Sequence, residues 1–206
     1  MPTFYLIRHA ENDFVGRRLA GWLPGVHLNE QGVAQARALA EALAPVKLAA
    51  LYSSPLDRAL ETAEPLARTK GLEIRIRPDL GEVNVGRWEG ESLRRLRRRK
   101  LWTVIQQAPS LARFPEGESF VEAQARVVAE LEALREQHPG SRSAIACISH
   151  SDPLKLALAH YAGMPLDLFQ RLTIEPASIS ILRISDGHVR LLQLNNTRAT
   201  RVVPPG

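Results

Sequence analysis

The chain has 206 residues, 45% of them hydrophobic, and a formal net charge of +5. That length supports one sizeable core and predicts a single domain over residues 1–206, with no run near the roughly 20 apolar residues of a membrane-spanning helix. The single cysteine, Cys147, rules out an internal disulfide and a cysteine-based zinc site, and within Ala144-Ile145-Ala146-Cys147-Ile148 it reads as a buried strand residue.

In chain order, the first element is an apolar run, Thr3-Phe4-Tyr5-Leu6-Ile7, that stops on Arg8-His9-Ala10-Glu11-Asn12. Its opening residues lack the basic and apolar regions of a secretory leader, so a cytoplasmic location is expected. A fixed cation beside a titratable imidazole at a strand end suits a site, because ligands of open α/β sheets bind beyond the carboxyl ends of strands. Arg8 can clamp an anion bidentately, and His9 can serve as nucleophile, base or ligand. Alone, the pair reads equally well as surface decoration.

After a glycine-containing loop, residues 30–44 show apolar positions at helical spacing, with Asn29 as cap. Residues 48–52 read as a buried strand ending on Ser53-Ser54-Pro55. Ser54 and Pro55 predict a helix start and Gly71 its stop, with Pro65 kinking or restarting it between them. The alternation in 73–77, with Ile74 and Ile76 on one side, predicts a strand near a sheet edge. A loop carrying Gly81, Gly86 and Gly90 follows, and then a basic helix over 94–100. Residues 118–137 predict a long amphipathic helix closed by His138-Pro139-Gly140. Residues 143–149 form the most apolar strand, and another helix starts near Pro153. Residues 179–184 and 189–194 flank Asp186-Gly187, a hairpin signal. With neither repeats nor a low-complexity linker, this order predicts an α/β fold. It has three αβα layers around a mostly parallel, doubly wound sheet with a C-terminal hairpin.

Three strand ends carry chemistry. The first bears Arg8 and His9, the second leads to Arg58, and the strand at 143–149 delivers His150 followed by Ser151-Asp152-Pro153. Parallel strands bring these groups to one edge, where the Ser151 and Asp152 amides add helix N-terminal donors. Such a pocket suits a dianion such as a phosphoryl group. The glycine-loosened loop 80–90 brings an acid able to protonate a leaving group, and Glu73, Glu82, Glu89 and Glu91 all stand nearby as candidates for that role. Without this company, Arg58 beside Asp57 and Glu61 reads as a salt-bridged surface, and His150 as a helix cap.

Taken together the blocks resemble the histidine phosphatase superfamily, phosphoglycerate mutase-like branch. Arg8-His9-Ala10-Glu11 matches its arginine-histidine-glycine-glutamate signature. Ser53-Ser54-Pro55-Leu56-Asp57-Arg58-Ala59 with Thr62-Ala63 matches its second block, and Leu80 to Gly90 its acid-bearing loop. Pro115-Glu116-Gly117-Glu118-Ser119 and Ile148-Ser149-His150 complete the set, in order, from residue 5 to about 155. The resemblance implies that His9 accepts the phosphoryl group while Arg8, Arg58 and His150 hold its oxygens. It implies that Glu82 protonates the leaving oxygen and then activates water. Arg8, Arg58, His150, Asn12 and Ser151 form the expected phosphate-binding set, with no metal and no cofactor. His9 must attack through a neutral nitrogen, its other nitrogen held by an acceptor that the sequence does not identify.

The chain departs from the family at Ala10 and Ser151, where glycine is usual, and at Lys155, near where an arginine is frequent. At Val15 many members carry a phosphate-contacting asparagine, a contact for which Asn12 or Arg18 can substitute. The implied function is a metal-independent phosphatase acting on small phosphomonoesters through a phosphohistidine intermediate on His9. One alternative is a cofactor-dependent phosphoglycerate mutase, although such chains resemble longer ones with an extra segment over the site. The other is a non-catalytic anion- or nucleic-acid-binding member of the fold.

The expected partner is a small phosphorylated substrate, with no membrane, and a homodimer is compatible with the sequence. Nucleic acid is suggested only by the basic run, which no zinc finger, basic zipper or RNA-binding aromatic motif accompanies. As a helix, that run puts Arg94 and Arg98 on one face and Arg95 and Arg99 on another, a solvated surface near the site mouth. His27, His138, His160 and His188 read as structural, and Trp22, Trp88 and Trp102 as packing residues. Specificity is assigned to 16–25 and 94–113.

Overall fold

The computed structural model describes residues 2–139, 143–185 and 188–197. Its six-stranded sheet comprises β1 (Thr3–Arg8), β2 (Leu48–Ser53), β3 (Ile74–Ile76), β4 (Ala144–Ser149), β5 (Ile179–Ser185) and β6 (His188–Asn196). The order across the sheet is β3-β2-β4-β1-β5-β6, with the first four strands parallel and β5 and β6 antiparallel. The expected edge strand is β3. The pairing of Ser185 with His188 fits the expected hairpin, while Asp186 and Gly187, like Gly140, lie outside the described residues.

The alternation of side chains along a strand divides the core in two. Tyr5, Ile7, Leu51, Ala144, Ala146 and Ile148 face α1 (Glu30–Leu43) and α2 (Asp57–Lys70). Phe4, Leu6, Tyr52, Ile145 and Cys147 face α5 (Phe120–Gln137) and α6 (Ser151–Tyr161) on the other side. Cys147 is thus a buried strand residue, as expected. A third apolar cluster joins Trp88, Phe114, Phe120 and Phe169, and it supports the loops over one sheet edge. No helix among the described residues is long and apolar enough to cross a membrane.

Local signals explain most boundaries. Asn29 caps α1 by accepting the Gly32 N–H at 2.9 Å. Ser119 and Glu122 form a reciprocal capping box that starts α5 at Phe120, two residues later than the pattern suggests. Gly71 ends α2 in the left-handed conformation at φ 62°. Two expectations need correction. Helix α2 starts at Asp57 rather than Pro55, because the Ser54 N–H is tied to Ile148 O at 2.9 Å and keeps the chain extended. It then runs through Pro65 as one helix, which rules out a restart there.

The basic run is not one helix. It divides into α3 (Leu93–Leu96) and α4 (Lys100–Gln107), with 97–99 as a turn. Like charges four apart disfavour a continuous helix. Arg99 instead lies over the Trp88 ring, 5.7 Å from its centroid, while Arg95 and Arg99 approach Glu91 at 3.6 and 4.0 Å.

Candidate active site

Strand register assembles the site. Arg8 lies beside Ser149, and Ser53 beside Ile148, so the chain leaves β1, β2 and β4 at one edge. Residues 8–9, 54 and 150 therefore meet there. A cavity of about 250 Å³ opens at this edge, and Arg8, His9, Asn12, Arg58, Glu82 and Ser151 line it. His150 is fully buried against His9, with ring centroids 5.1 Å apart. All seven expected site residues are thus brought together.

His9 Nδ1 lies 2.7 Å from Ala10 O, which assigns the ring hydrogen to Nδ1 and leaves a lone pair on Nε2. Burial, then the charges of Arg58 and Arg8, hold the His9 imidazole well below its usual range, so it is neutral. The acceptor that the sequence could not name is the carbonyl of the next residue. Ala10 is itself fixed, because its N–H donates to Thr62 Oγ1 at 2.9 Å and the Thr62 hydroxyl donates to Arg58 O at 2.6 Å.

Arg58 is only 1% exposed, which excludes the salt-bridged surface reading. One of its terminal nitrogens donates to Gly21 O at 2.8 Å, while Nε and Nη1 are buried with no partner in the protein. Arg8 donates to Ile174 O at 2.6 Å and keeps a buried, unpartnered Nε. His150 Nδ1 is likewise buried and unpartnered, while Nε2 meets Ser54 Oγ at 2.7 Å. Burial first, and then Arg58, keep His150 neutral as well. Three buried guanidinium donors without partners, with the unpartnered His150 Nδ1 beside them, make a cradle for a multiply charged oxyanion.

Glu82 projects from a loop held at three points. Ser149 Oγ donates to Leu80 O at 2.7 Å, Trp22 Nε1 donates to Glu82 O at 2.6 Å, and Arg126 donates to the carbonyls of Asp79, Gly81 and Glu82. Burial, and next the charge of Asp152, raise the Glu82 carboxyl to about 7. Glu73, Glu89 and Glu91 do not line the cavity. Among the described residues, no group of three or more His, Cys, Asp or Glu is placed to hold a metal.

The remaining expectations divide. Asn12, Val15 and Arg18 all line the cavity, and the Asn12 side-chain oxygen accepts the Phe14 N–H at 2.9 Å. Lys155 does not line it, and instead reaches Asp152 and Gln170 at 3.5 and 3.4 Å. His138 bonds the Tyr52 hydroxyl, His27 pairs with Glu61, and none of His27, His138, His160 and His188 lines the cavity. Trp102 stacks on Trp88, as a packing residue should, but it also lines the cavity with Phe14, Phe114, Gln106 and Gln170. Ser54, Thr62, Trp22 and Arg126 were not singled out as site residues from the sequence. Ser54 and Thr62 nevertheless stand inside the quoted arginine block.

A family model described as histidine phosphatase superfamily (branch 1) matches residues 4–197. The chain is similar to a protein of Hydrogenobacter thermophilus named phosphoserine phosphatase 1, with 29% identity over 204 residues, 96% of this chain and 93% of that one. It is 32% identical over 184 residues to a probable phosphoglycerate mutase GpmB of Photorhabdus laumondii, covering 87% of this chain and 84% of that one. The solved structure of Bacillus stearothermophilus YhfR superposes with a TM-score of 0.90 at 29% identity, covering 97% of this chain and 99% of that one.

Proposed function

The chain belongs to the histidine phosphatase superfamily, branch 1, and is a phosphoric monoester hydrolase of that type; from that premise we propose that it hydrolyses small phosphomonoesters, without a metal, through a phosphohistidine on His9. The observation that carries the reading is the set of three unpartnered buried guanidinium donors on Arg8 and Arg58, with the unpartnered His150 Nδ1, beside the neutral His9 ring. Phosphoryl transfer needs positioning and charge stabilisation above all, and two guanidinia and an imidazole N–H supply them.

In the first step the His9 Nε2 lone pair attacks phosphorus in line, forming the P–N bond as the P–O bond to the alcohol breaks. The protonated Glu82 carboxyl gives its proton to the leaving oxygen. In the second step Glu82, now a carboxylate, takes a proton from water, whose oxygen attacks phosphorus. The P–N bond breaks, its electron pair returns to Nε2, and inorganic phosphate leaves. A carboxyl poised near 7 suits both halves, being close to even protonation at neutral pH. The backbone amides at the start of α6, whose N-cap offers no side-chain acceptor, add donors near Ser151. Asn12, its oxygen already engaged, offers its NH2 group to the phosphoryl oxygens.

A mutase would use the same pocket and return the phosphoryl group to an alcohol. That reading rests on the names of relatives such as GpmB and has less behind it. The buried, unpaired Cys147 fits a reducing, cytoplasmic setting. The reacting groups all come from one chain, so a homodimer would add nothing that the chemistry lacks.

The test is a phosphate-release screen over sugar phosphates, nucleotides, phosphoserine, phosphoglycerates and an aryl phosphate, beside a mutase assay and a His9→Ala control. Release abolished by His9→Ala supports the reading. Release that survives it overturns the mechanism, and phosphoglycerate interconversion faster than hydrolysis makes the enzyme a mutase.

A further inference from the structure

Resting on the hydrolase reading, we propose that Ser54 is a positioning residue: its hydroxyl fixes the tautomer of His150 so that Nδ1–H faces the transferring phosphoryl group as a donor. Ser54 is fully buried and held by its backbone, with its N–H on Ile148 O at 2.9 Å and its carbonyl accepting the Ser53 hydroxyl at 2.9 Å. Its Oγ accepts the Leu56 N–H at 3.3 Å and lies 2.7 Å from His150 Nε2. The Leu56 N–H cannot accept, so among the described residues Nε2 is the one acceptor that the buried hydroxyl hydrogen can reach, and the hydroxyl donates to it. A neutral ring then carries its own hydrogen on Nδ1, the buried nitrogen with no protein partner.

The tautomer matters because the ring is neutral. Burial first, and then the charges of Arg58 on α2, of His9 and Arg8 at the end of β1 and of Arg126 on α5, disfavour a second proton. A neutral ring with its hydrogen on Nε2 would present a lone pair to a phosphoryl oxygen, repelling what it should bind. His9 and His150 thus hold the same tautomer to opposite ends. Ala10 O takes the Nδ1–H of His9 and leaves Nε2 to attack, while Ser54 takes up Nε2 of His150 and leaves Nδ1–H to donate.

The test compares Ser54→Ala and Ser54→Thr with wild type, using kcat/KM on an aryl phosphate against pH and imidazole 15N spectra of uniformly labelled protein. The expected spectrum of wild-type His150 shows a protonated Nδ1, which Ser54→Ala moves towards Nε2–H. Ser54→Ala should lose about 10²-fold in kcat/KM near neutral pH, the size of one lost oxyanion donor. Ser54→Thr, which keeps the hydroxyl, should restore most of the rate.

A wild-type His150 protonated on Nε2, or a Ser54→Ala rate within about twofold of wild type, overturns the assignment. Should Ser54→Ala fail to fold by near-ultraviolet circular dichroism, the wild-type spectrum decides alone. If wild type releases no phosphate at all, the hydrolase reading fails, and the tautomer is still read from the spectrum.

Discussion

The imidazole rings of His9 and His150 lie with centroids 5.1 Å apart and planes tilted by 57°. Each is held by one nitrogen, and each is kept neutral by burial and by the arginines beside it. Two positive imidazoles that close, next to Arg8 and Arg58, would repel each other strongly. This pairing, with Glu82, sets the pH dependence. Attack needs neutral His9, whose folded value lies below the usual 6.5, so activity is present above that value and lost as pH falls through it. Leaving-group protonation needs Glu82 in its acid form, so activity falls as pH rises through about 7. The plot of kcat/KM against pH should be a bell with a mildly acidic optimum. Glu82→Gln should remove its alkaline limb and lower kcat by about 10²- to 10⁴-fold. An alkaline limb unchanged in that variant contradicts the assignment.

Arg58 is a buried cation with two unpartnered donors, so it costs stability until an anion arrives. Inorganic phosphate should raise the wild-type Tm, by about 2.7 kcal/mol in free energy at 100 times its Kd. In Arg58→Met that rise should vanish, with kcat/KM down at least about 10²-fold and the phosphate-free Tm no lower than wild type. Calorimetry with and without phosphate checks this. An equal phosphate effect in both proteins would place the anion elsewhere.

Thr62 links both sides of the site, accepting from Ala10 N–H and donating to Arg58 O. Thr62→Val keeps the shape but leaves the Ala10 N–H without an acceptor, at a cost of about 1–3 kcal/mol. Denaturant midpoints should show that loss. Because Ala10 O orients His9, kcat should fall as well, with little change in phosphate affinity. Unaltered kcat would show that the strand end holds Ala10 without Thr62.

A Cβ on Gly81 would lie 2.3 Å from Trp22 Cζ2 and 2.8 Å from Pro78 O, although the backbone there is in an ordinary region. Gly81→Ala should therefore displace Trp22, which donates to Glu82 O. The expected outcome is a lower kcat, with phosphate binding retained because Arg8, Arg58 and His150 are untouched. Isothermal titration with phosphate beside kcat measurements separates the two effects.

How much of this was legible in the sequence depended on which atoms act. Arg8, His9, Arg58, Glu82 and His150 carry distinctive side chains where apolar runs stop or glycines loosen a loop, so all five stand out in the sequence as candidates. Ala10 acts through a carbonyl, and Ser54 and Thr62 through small hydroxyls common in any turn or helix. Their roles exist only because β1, β2 and β4 end in register. Trp22 and Arg126 reach the Glu82 loop across 60 and 44 residues of chain, a separation that periodicity does not encode. The basic run misled for a physical reason. Its spacing is helical, but its like charges and the contact of Arg99 with Trp88 break it into two short helices.

The mechanism turns on a covalent phosphoryl group on His9 Nε2. Rapid acid-free quenching of a turnover mixture, followed by peptide mass spectrometry, detects it. The expected product is a peptide carrying phosphate on His9 that is acid-labile and base-stable. It should be absent from His9→Ala and should accumulate in Glu82→Gln when an aryl phosphate supplies a leaving group that needs no proton. Turnover with no phosphorylated His9 under these conditions, or phosphate on another residue, would contradict it.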